Sequence, residues 1–165
     1  MNFILAKIGV IGGGSWGTAL AVLLSKNKHE VDIWVRDEKQ LKHMKEYKEN
    51  KKYLPDVVLP EELIATGDIE KAVYNKDLLV FSIPTHGVRE VLNNCKNYIK
   101  KGQVIVNVAK GIENNTLLRI SEIVDEILPN NPYGVLSGPS HAEEVGRNMP
   151  TTVVSASKDK NIAKY

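Results

Sequence analysis

The segment that most constrains this chain is 8–20, where an apolar run leads into a Gly-x-Gly-x-x-Gly pattern and then a helical pattern. The β-branched and apolar residues before the pattern are typical of a strand buried on both faces. The three glycines serve different purposes, since Gly12 permits a tight turn, Gly14 lets a pyrophosphate approach the backbone, and Gly17 lets the helix pack closely on the strand. The segment therefore predicts a dinucleotide site at a helix start, where Ser15 could donate a further hydrogen bond.

Strand and helix patterns alternate along the rest of the chain. This alternation predicts a doubly wound, mostly parallel, Rossmann-like sheet with helices on both faces, which binds ligands at the carboxyl ends of its strands. A chain of 165 residues with 42% hydrophobic content can bury one core, so we expect a single dinucleotide-binding domain over residues 1–165. The predicted strands are 8–11, 30–35, 64–66, 78–83, 104–108, 133–137 and 152–157. The predicted helices are 18–24, 38–52, a short one capped by Asp68, 85–98, 117–128 and 159–165, and a loop is expected at 53–60.

Charge and cysteine content exclude several classes of function. The 22 basic and 20 acidic residues are mixed along the chain, so no basic patch points to nucleic acid or to an anionic membrane. The apolar start at residues 1–6 is too short for a signal peptide or a membrane span. Cys95 is the single cysteine and the four histidines are scattered, which indicates no disulfide and no metal site. We expect a soluble, cytoplasmic protein with a small-molecule partner.

Two charged residues follow the second predicted strand. An NAD-binding protein places an acid there against the ribose 2′-hydroxyl, whereas an arginine accommodates the 2′-phosphate of NADP. Arg36 therefore favours NADP slightly, while the adjacent Asp37 leaves NAD open. A solvated surface arginine is the alternative interpretation of Arg36.

Two further segments lie at predicted carboxyl ends. Lys110 follows the strand 104–108 and could meet a substrate phosphate or carbonyl, although a solvated lysine is an equal alternative. Ser140 and Glu143 have the spacing of a capping box, which predicts a helix start that is also an anion site. His141 and His86 have no visible partner, and we interpret both as structural loop or cap residues.

Four segments together resemble the bacterial NAD(P)-dependent glycerol-3-phosphate dehydrogenase family: GGGSWGTA at 12–19, YLP at 53–55, AKGIE at 109–113 and SGPSHAEEV at 137–145. Their order and spacing match along the whole chain, and the last two are not shared by dinucleotide-binding domains at large. The resemblance implies reversible hydride transfer between NAD(P)H and dihydroxyacetone phosphate, giving sn-glycerol 3-phosphate for phospholipid synthesis.

The resemblance also implies roles for individual residues. It implies cofactor contacts at Ser15, Trp16, Arg36, Asp37, Tyr53, Lys110 and Ala142, and substrate contacts at Lys110, Gly138 and Ser140. Asp37 departs from the basic residue often found at its position in the family. The family's second, mostly helical domain supplies the lysine thought to protonate the substrate oxygen, and that domain is absent from this sequence. We therefore expect no proton-transfer residue here, and cofactor binding with little or no turnover.

Two other functions stay open from the sequence. A lone nucleotide-binding domain could be a non-catalytic nicotinamide-nucleotide sensor that controls a partner. A related hydroxy-acid dehydrogenase would share the nucleotide domain but would need an arginine clamp for its carboxylate substrate. Apolar surface exposed near residues 161–165 would favour association into a homo-oligomer.

Overall fold

A computed structural model describes residues 5–164, so the expectations for the first four residues and for residue 165 lie outside the described part. Within residues 5–164, seven strands form one sheet and two more form a small hairpin. The strands are β1 (Lys7–Ile11), β2 (Glu30–Trp34), β3 (Glu49–Asn50), β4 (Leu54–Val58), β5 (Ile64–Thr66), β6 (Leu78–Phe81), β7 (Val104–Asn107), β8 (Tyr133–Ser137) and β9 (Val154–Ala156). The helices are α1 (Ser15–Lys26), α2 (Glu38–Tyr47), α3 (Ile69–Val73), α4 (Val88–Cys95), α5 (Ile120–Ile127), α6 (Ala142–Gly146) and α7 (Lys160–Lys164).

The sheet confirms the predicted doubly wound topology. Its strand order is β5-β2-β1-β6-β7-β8-β9, and every neighbouring pair is parallel except β8 with β9. The order reverses between β1 and β6, because the chain first builds outward through β2 and β5 and then returns to the other side of β1. Ligands of such sheets bind in the crevice outside the carboxyl ends of the strands at this reversal.

Helices cover both faces of the sheet. Alternate residues of each strand point to opposite faces, so Val10 packs into one core and its neighbour Ile11 into the other. The first core is closed by buried residues of α1, α2 and α6, and the second by those of α3, α4 and α5. Most of the buried strand residues that separate the two cores are apolar, as the sequence predicted for strands buried on both sides, and Asp32, Thr66 and Asn107 are the buried polar exceptions.

The segment after β2 corrects two predictions. The helix expected over 38–52 ends at Tyr47, because Lys48 takes a left-handed conformation with φ of 51°. The residues expected as a loop at 53–60 instead contain β4, which pairs antiparallel with β3. A run of charged residues suited to an exposed helix concealed this hairpin, whose short strands carry little hydrophobic alternation.

Other helix boundaries also differ from the prediction. The helix expected over 85–98 is divided into α4 and a 3-10 turn at each end, Thr85–Gly87 and Lys96–Tyr98. The helix start predicted at residue 68 is confirmed, because the carboxylate of Asp68 accepts hydrogen bonds from the N–H groups of Glu70 and Lys71. That cap satisfies two of the N–H groups that a helix start leaves without partners.

Candidate functional site

The glycine-rich turn joins β1 to α1 at the point where the strand order reverses. Gly12 has φ of +125°, and a Cβ there would lie 2.2 Å from the carbonyl oxygen of Ser82. A Cβ on Gly17 would lie 2.0 Å from the carbonyl oxygen of Gly12, so the first turn of α1 folds directly onto the end of the strand. A side chain at either position would therefore disrupt the turn.

Gly14 differs from these two glycines because a Cβ there would meet no atom within 4 Å. Its backbone faces open space at the N-terminus of α1. No side chain caps this helix, and its first turn contains no acidic residue. The exposed N–H groups and the positive end of the helix dipole are therefore available to an anionic group.

A pocket of about 300 Å³ lies beside this helix start, at the carboxyl edge of the sheet. It brings together six of the predicted cofactor and substrate contacts: Ser15, Trp16, Lys110, Gly138, Ser140 and Ala142. They come from α1, from the loop after β7 and from the segment between β8 and α6. Segments far apart in sequence thus meet at one place because all of them follow parallel strands or begin the next helix.

Lys110 lies on a loop that is fixed by several hydrogen bonds. The hydroxyl of Thr85 donates to the carbonyl oxygen of Lys110 at 2.8 Å. The preceding residue, Ala109, is held by the side chain of Asn107, which donates to the Ala109 carbonyl oxygen and accepts from the Ala109 N–H. The Lys110 side chain itself is exposed, so a fixed backbone presents a solvated cation at the mouth of the pocket.

The loop continues to Glu113, whose carboxylate forms an ion pair with a residue of a neighbouring helix. Arg89 of α4 binds both of its carboxylate oxygens, at 2.8 and 2.9 Å. The guanidinium of Arg89, followed by the hydroxyl of Thr116, holds the pKa of Glu113 below its usual value. The same two carboxylates, Glu113 first and Glu126 second, raise the pKa of Arg89. A bidentate ion pair of this kind fixes direction as well as distance.

The predicted capping box between Ser140 and Glu143 does not form. The helix begins later, at Ala142, with His141 as its N-cap and no side-chain cap. Ser140 instead lies in a tight turn, in which its N–H donates to the carbonyl oxygen of Gly138 at 3.1 Å. Gly138 has φ of +138°, so this turn needs a glycine, and His141 is extended and cannot continue a helix backward.

Arg36, Asp37 and Tyr53 do not line this pocket. Asp37 borders a second pocket of about 370 Å³, together with Lys39, Gln40, His43, Asn50, Lys51 and Lys52. Arg36 is exposed, and 39% of the surface of Tyr53 is accessible. Of these three predicted cofactor residues, Asp37 lines the second pocket, whereas Arg36 and Tyr53 line neither.

The carboxylate of Asp37 is already engaged. One oxygen accepts the N–H of Gln40 at 3.0 Å and so caps α2, and the other pairs with Lys52 at 3.1 Å. The N–H of Gln40, and then the ammonium of Lys52, hold the pKa of Asp37 below its usual value. Lys52 was not among the predicted site residues, because it lies in a lysine-rich segment and no motif distinguishes it from the neighbouring lysines.

Sequence reasoning also missed Gln40 and Asn50. Both side-chain amides donate to the carbonyl oxygen of Gly13, inside the glycine-rich turn. Asn50 lies on the unpredicted hairpin and Gln40 on a helix that looked like a solvated surface element. Neither residue belongs to a recognisable motif. A prediction of the hairpin could have indicated Asn50, but no signal in the sequence indicates Gln40.

His86, His141 and Cys95 lie on three different elements: a 3-10 turn, the start of α6, and α4. Among residues 5–164, no three His, Cys, Asp or Glu side chains are placed to hold a metal ion. His86 is exposed in a 3-10 turn, and His141 lines the pocket as the N-cap of α6.

Burial raises the pKa of Cys95 to about 12. Over the same range of residues, each helix is too short or too polar to cross a membrane.

A mostly parallel sheet whose first strand runs through a Gly-x-Gly-x-x-Gly turn into a helix defines a dinucleotide-binding domain of the Rossmann type. Comparison with known proteins assigns the chain more closely. Residues 7–163 match the family described as NAD-dependent glycerol-3-phosphate dehydrogenase N-terminus. The chain belongs to this family.

Individual relatives agree with that assignment. The chain is 46% identical, over 98% of its length, to a glycerol-3-phosphate dehydrogenase [NAD(P)+] from Fusobacterium nucleatum. Among solved structures, the glycerol-3-phosphate dehydrogenase from Coxiella burnetii superposes with a TM-score of 0.91 at 31% identity, over 97% of this chain and 49% of that one. The corresponding enzyme of Plasmodium falciparum gives 0.87 at 27% identity, over 95% and 47%. The chain spans about half the length of the curated relatives it matches.

Proposed function

We propose that this chain is the NAD(P)-binding part of an oxidoreductase that reversibly transfers a hydride between NAD(P)H and dihydroxyacetone phosphate, giving sn-glycerol 3-phosphate for glycerophospholipid synthesis. The observation that carries the proposal is the pocket that joins the start of α1 to the loop of Lys110 and the turn of Gly138. Hydride transfer requires the nicotinamide and the substrate carbonyl to lie side by side in a fixed orientation. A pocket shared by a phosphate-binding helix start and a lysine suits that requirement.

In this proposal, the backbone at Gly14 and the start of α1 bind the pyrophosphate. Gly12 and Gly17 allow the turn to pack closely against neighbouring backbone, because a side chain at either position would collide with it. Four of the other proposed cofactor contacts, Ser15, Trp16, Lys110 and Ala142, line the first pocket and would face the nicotinamide. Asp37 lines the second pocket, and Arg36 and Tyr53 are next in sequence to its lining residues Asp37 and Lys52, so we assign these three to the adenosine side.

The proposed substrate contacts are Lys110, Gly138 and Ser140. Lys110 supplies a positive charge for a phosphate or for the oxygen of the reacting carbonyl. The pocket is lined by Lys110 but by no arginine among residues 5–164, and Arg89 is bound to two carboxylates elsewhere. A hydroxy-acid substrate would need a bidentate arginine for its carboxylate, so the lining favours a phosphorylated substrate.

NADP is slightly favoured over NAD. Within residues 5–164 Arg36 makes no ion pair, whereas both oxygens of Asp37 are used by Gln40 and Lys52. A ribose 2′-hydroxyl would have to compete with those partners for the carboxylate. A 2′-phosphate would instead meet Arg36 and the lysines around the second pocket.

We further propose that residues 1–165 form one dinucleotide-binding domain and that its relatives' remaining length supplies proton transfer. The pocket residues include no group that we assign to that step, so this chain alone should bind cofactor and turn over slowly or not at all. Calorimetric titration with NADPH and NADH tests the binding, and an absorbance assay with dihydroxyacetone phosphate tests the turnover. Failure to bind either nucleotide would overturn the cofactor assignment, and rapid oxidation of NADPH would overturn the need for further residues.

We also propose a cytoplasmic location and self-association. A single, buried cysteine suits a reducing compartment. Apolar side chains are exposed around the edge strand β9: Met149, Val153 and Val154 have 55%, 42% and 59% of their surface accessible. Exposed apolar residues beside a sheet edge favour association. Sedimentation at increasing concentration tests this, and a monodisperse monomer throughout would contradict it.

A further inference from the structure

Two buried side-chain amides converge on one backbone oxygen in the glycine-rich turn. The carbonyl oxygen of Gly13 accepts a hydrogen bond from Gln40 Nε2 at 2.5 Å and another from Asn50 Nδ2 at 2.9 Å. Asn50 is fully buried and Gln40 has 9% of its surface exposed. A carbonyl that accepts two buried donors uses both of its lone pairs.

The two amides also bind each other and the first helix. Gln40 Nε2 donates to Asn50 Oδ1 at 3.3 Å, and Asn50 Nδ2 donates to the hydroxyl oxygen of Thr18 at 2.7 Å. The participants belong to α1, α2 and β3, so one connected network ties three elements to the glycine-rich turn. Buried networks whose members all have partners give a site a single, rigid arrangement.

This network determines where the next N–H group points. The peptide bond between Gly13 and Gly14 is trans, so its C=O and N–H point in opposite directions. Since the carbonyl of Gly13 points into the protein, the N–H of Gly14 points out. Among the described residues it donates to no protein acceptor, and the space beside Gly14 is open.

We infer that Gln40 and Asn50 are positioning residues for the dinucleotide. They hold the Gly13–Gly14 peptide so that the N–H of Gly14 faces the pyrophosphate before the cofactor arrives. Rotation of this peptide would take from both buried amides the backbone oxygen that they share, which disfavours the alternative orientation. The inference rests on the proposed function and extends it to two side chains that act through the Gly13 carbonyl.

Asn50 also connects the turn to the adenosine side. Its own carbonyl oxygen accepts the N–H of Tyr53 at 3.2 Å, which fixes the bend between β3 and β4. That bend carries Lys52, the partner of Asp37. The same residue thus sets the geometry of the phosphate-binding turn and of the hairpin on the second pocket.

The test uses Gln40→Met, which keeps a buried side chain of similar length but removes its donors. The matched control is Gln103→Met. Gln103 is equally buried and its Nε2 also donates to backbone, to the carbonyl oxygens of Val73 and Lys76, but it lies at the opposite end of the sheet. Calorimetry gives the affinity of each variant for NADPH and NADH. The amide resonance of Gly14, together with the residual dipolar coupling of its N–H bond, reports the orientation of the peptide in ¹⁵N-labelled, ligand-free protein.

We expect Gln40→Met to weaken binding of both nucleotides about tenfold and to shift or broaden the Gly14 resonance, because preorganisation is lost. Gln103→Met should lower the unfolding temperature while leaving both readouts unchanged. Equal weakening in the two variants, or an unaltered Gly14 resonance in Gln40→Met, would overturn the inference. If Gln40→Met fails to fold, Asn50→Ala is measured in the same way.

The two proposals can fail separately. An unmodified chain that binds neither NADPH nor NADH would overturn the proposed function of this chain. In that case the Gly14 resonance still decides whether Gln40 and Asn50 fix the peptide, since it is recorded without ligand. A wild-type chain that binds normally beside a Gln40→Met variant that also binds normally would overturn the positioning role alone.

Discussion

Arg89 donates two hydrogen bonds to the carboxylate of Glu113, one to each oxygen, and thereby links α4 to the loop that begins at Lys110. At the other end of this short segment, the hydroxyl of Thr85 holds the Lys110 carbonyl. The loop is therefore fixed on both sides of Gly111, which has φ of +117° and provides the bend between them. The fixed backbone restricts the positions in which the exposed Lys110 side chain can place its charge.

Replacing Glu113 by Gln should loosen this loop. Arg89 holds the pKa of Glu113 below its usual value, so the stabilisation is complete above the unfolded pKa of about 4.3 and is lost as pH falls through the lower folded pKa. Glu113→Gln should therefore unfold at lower urea than wild type at pH 7, with a difference that shrinks toward pH 3. Glu61→Gln, which removes a surface pair with Lys48, is the control and should change little. An unchanged midpoint at pH 7 would show that the ion pair does not hold the loop.

Replacing Gly12 by Ala should mainly lower stability, whereas replacing Gly14 by Ala should mainly weaken nucleotide binding. Gly12→Ala puts a side chain at positive φ and 2.2 Å from a carbonyl oxygen, so it should lower the free energy of unfolding by about 1–3 kcal/mol or more. Gly14→Ala meets no neighbouring atom and should change it by less than about 0.5 kcal/mol. Its methyl group would still occupy the space of the pyrophosphate and should weaken NADPH binding at least about tenfold. Urea titration and calorimetry measure the two effects, and normal NADPH binding by Gly14→Ala would contradict the assignment.

Replacing Asp37 by Asn should raise the preference for NADPH over NADH. Asparagine is as good an N-cap as aspartate, so α2 should remain intact. The change removes the carboxylate that pairs with Lys52 and leaves Arg36 and Lys52 to attract a 2′-phosphate. The gain should shrink at high salt, because exposed charges are screened. Calorimetry with both nucleotides measures the preference. Asp68→Asn, at the cap of α3, is the control, and an equal gain there would argue against a local effect.

Replacing Lys110 by Met should weaken binding of dihydroxyacetone phosphate to the complex of this chain with oxidised cofactor. A lost charge contact to a phosphate should reduce the affinity about tenfold. Lys101→Met removes an equally exposed lysine from the loop at the other end of β7, and should have no effect. Competition calorimetry compares the three proteins. Equal affinity in Lys110→Met would remove this residue from the substrate site.

The parts of the fold that the sequence predicts well are the strands of the central sheet. Those strands are apolar on both sides and end at glycine, proline or polar residues, so both their position and their parallel order follow from pattern. The hairpin of β3 and β4 escaped prediction because its formation depends on long-range contacts. Asn50 is buried by hydrogen bonds to Gly13 and Thr18, which local hydrophobicity does not reveal.

In the candidate site, too, the features encoded by local motifs were predicted, whereas those that depend on long-range contacts were not. The glycine-rich turn and the lysine after β7 are local motifs, and the structure brings both to one pocket. The capping box at Ser140 was wrong because Gly138 bends the chain into a turn first and delays the helix to Ala142. The engagement of Asp37 by Lys52 also lay beyond the sequence, because it depends on the hairpin.

The most direct test of nucleotide binding at the glycine-rich turn is to titrate ¹⁵N-labelled protein with NADPH and follow the backbone amide resonances. We predict that the largest shifts occur at Gly14, Ser15 and Trp16, with a second group at Lys110 and Gly138. Shifts confined to other surfaces, or none at saturating nucleotide, would contradict the proposal that this turn and pocket bind a nicotinamide dinucleotide.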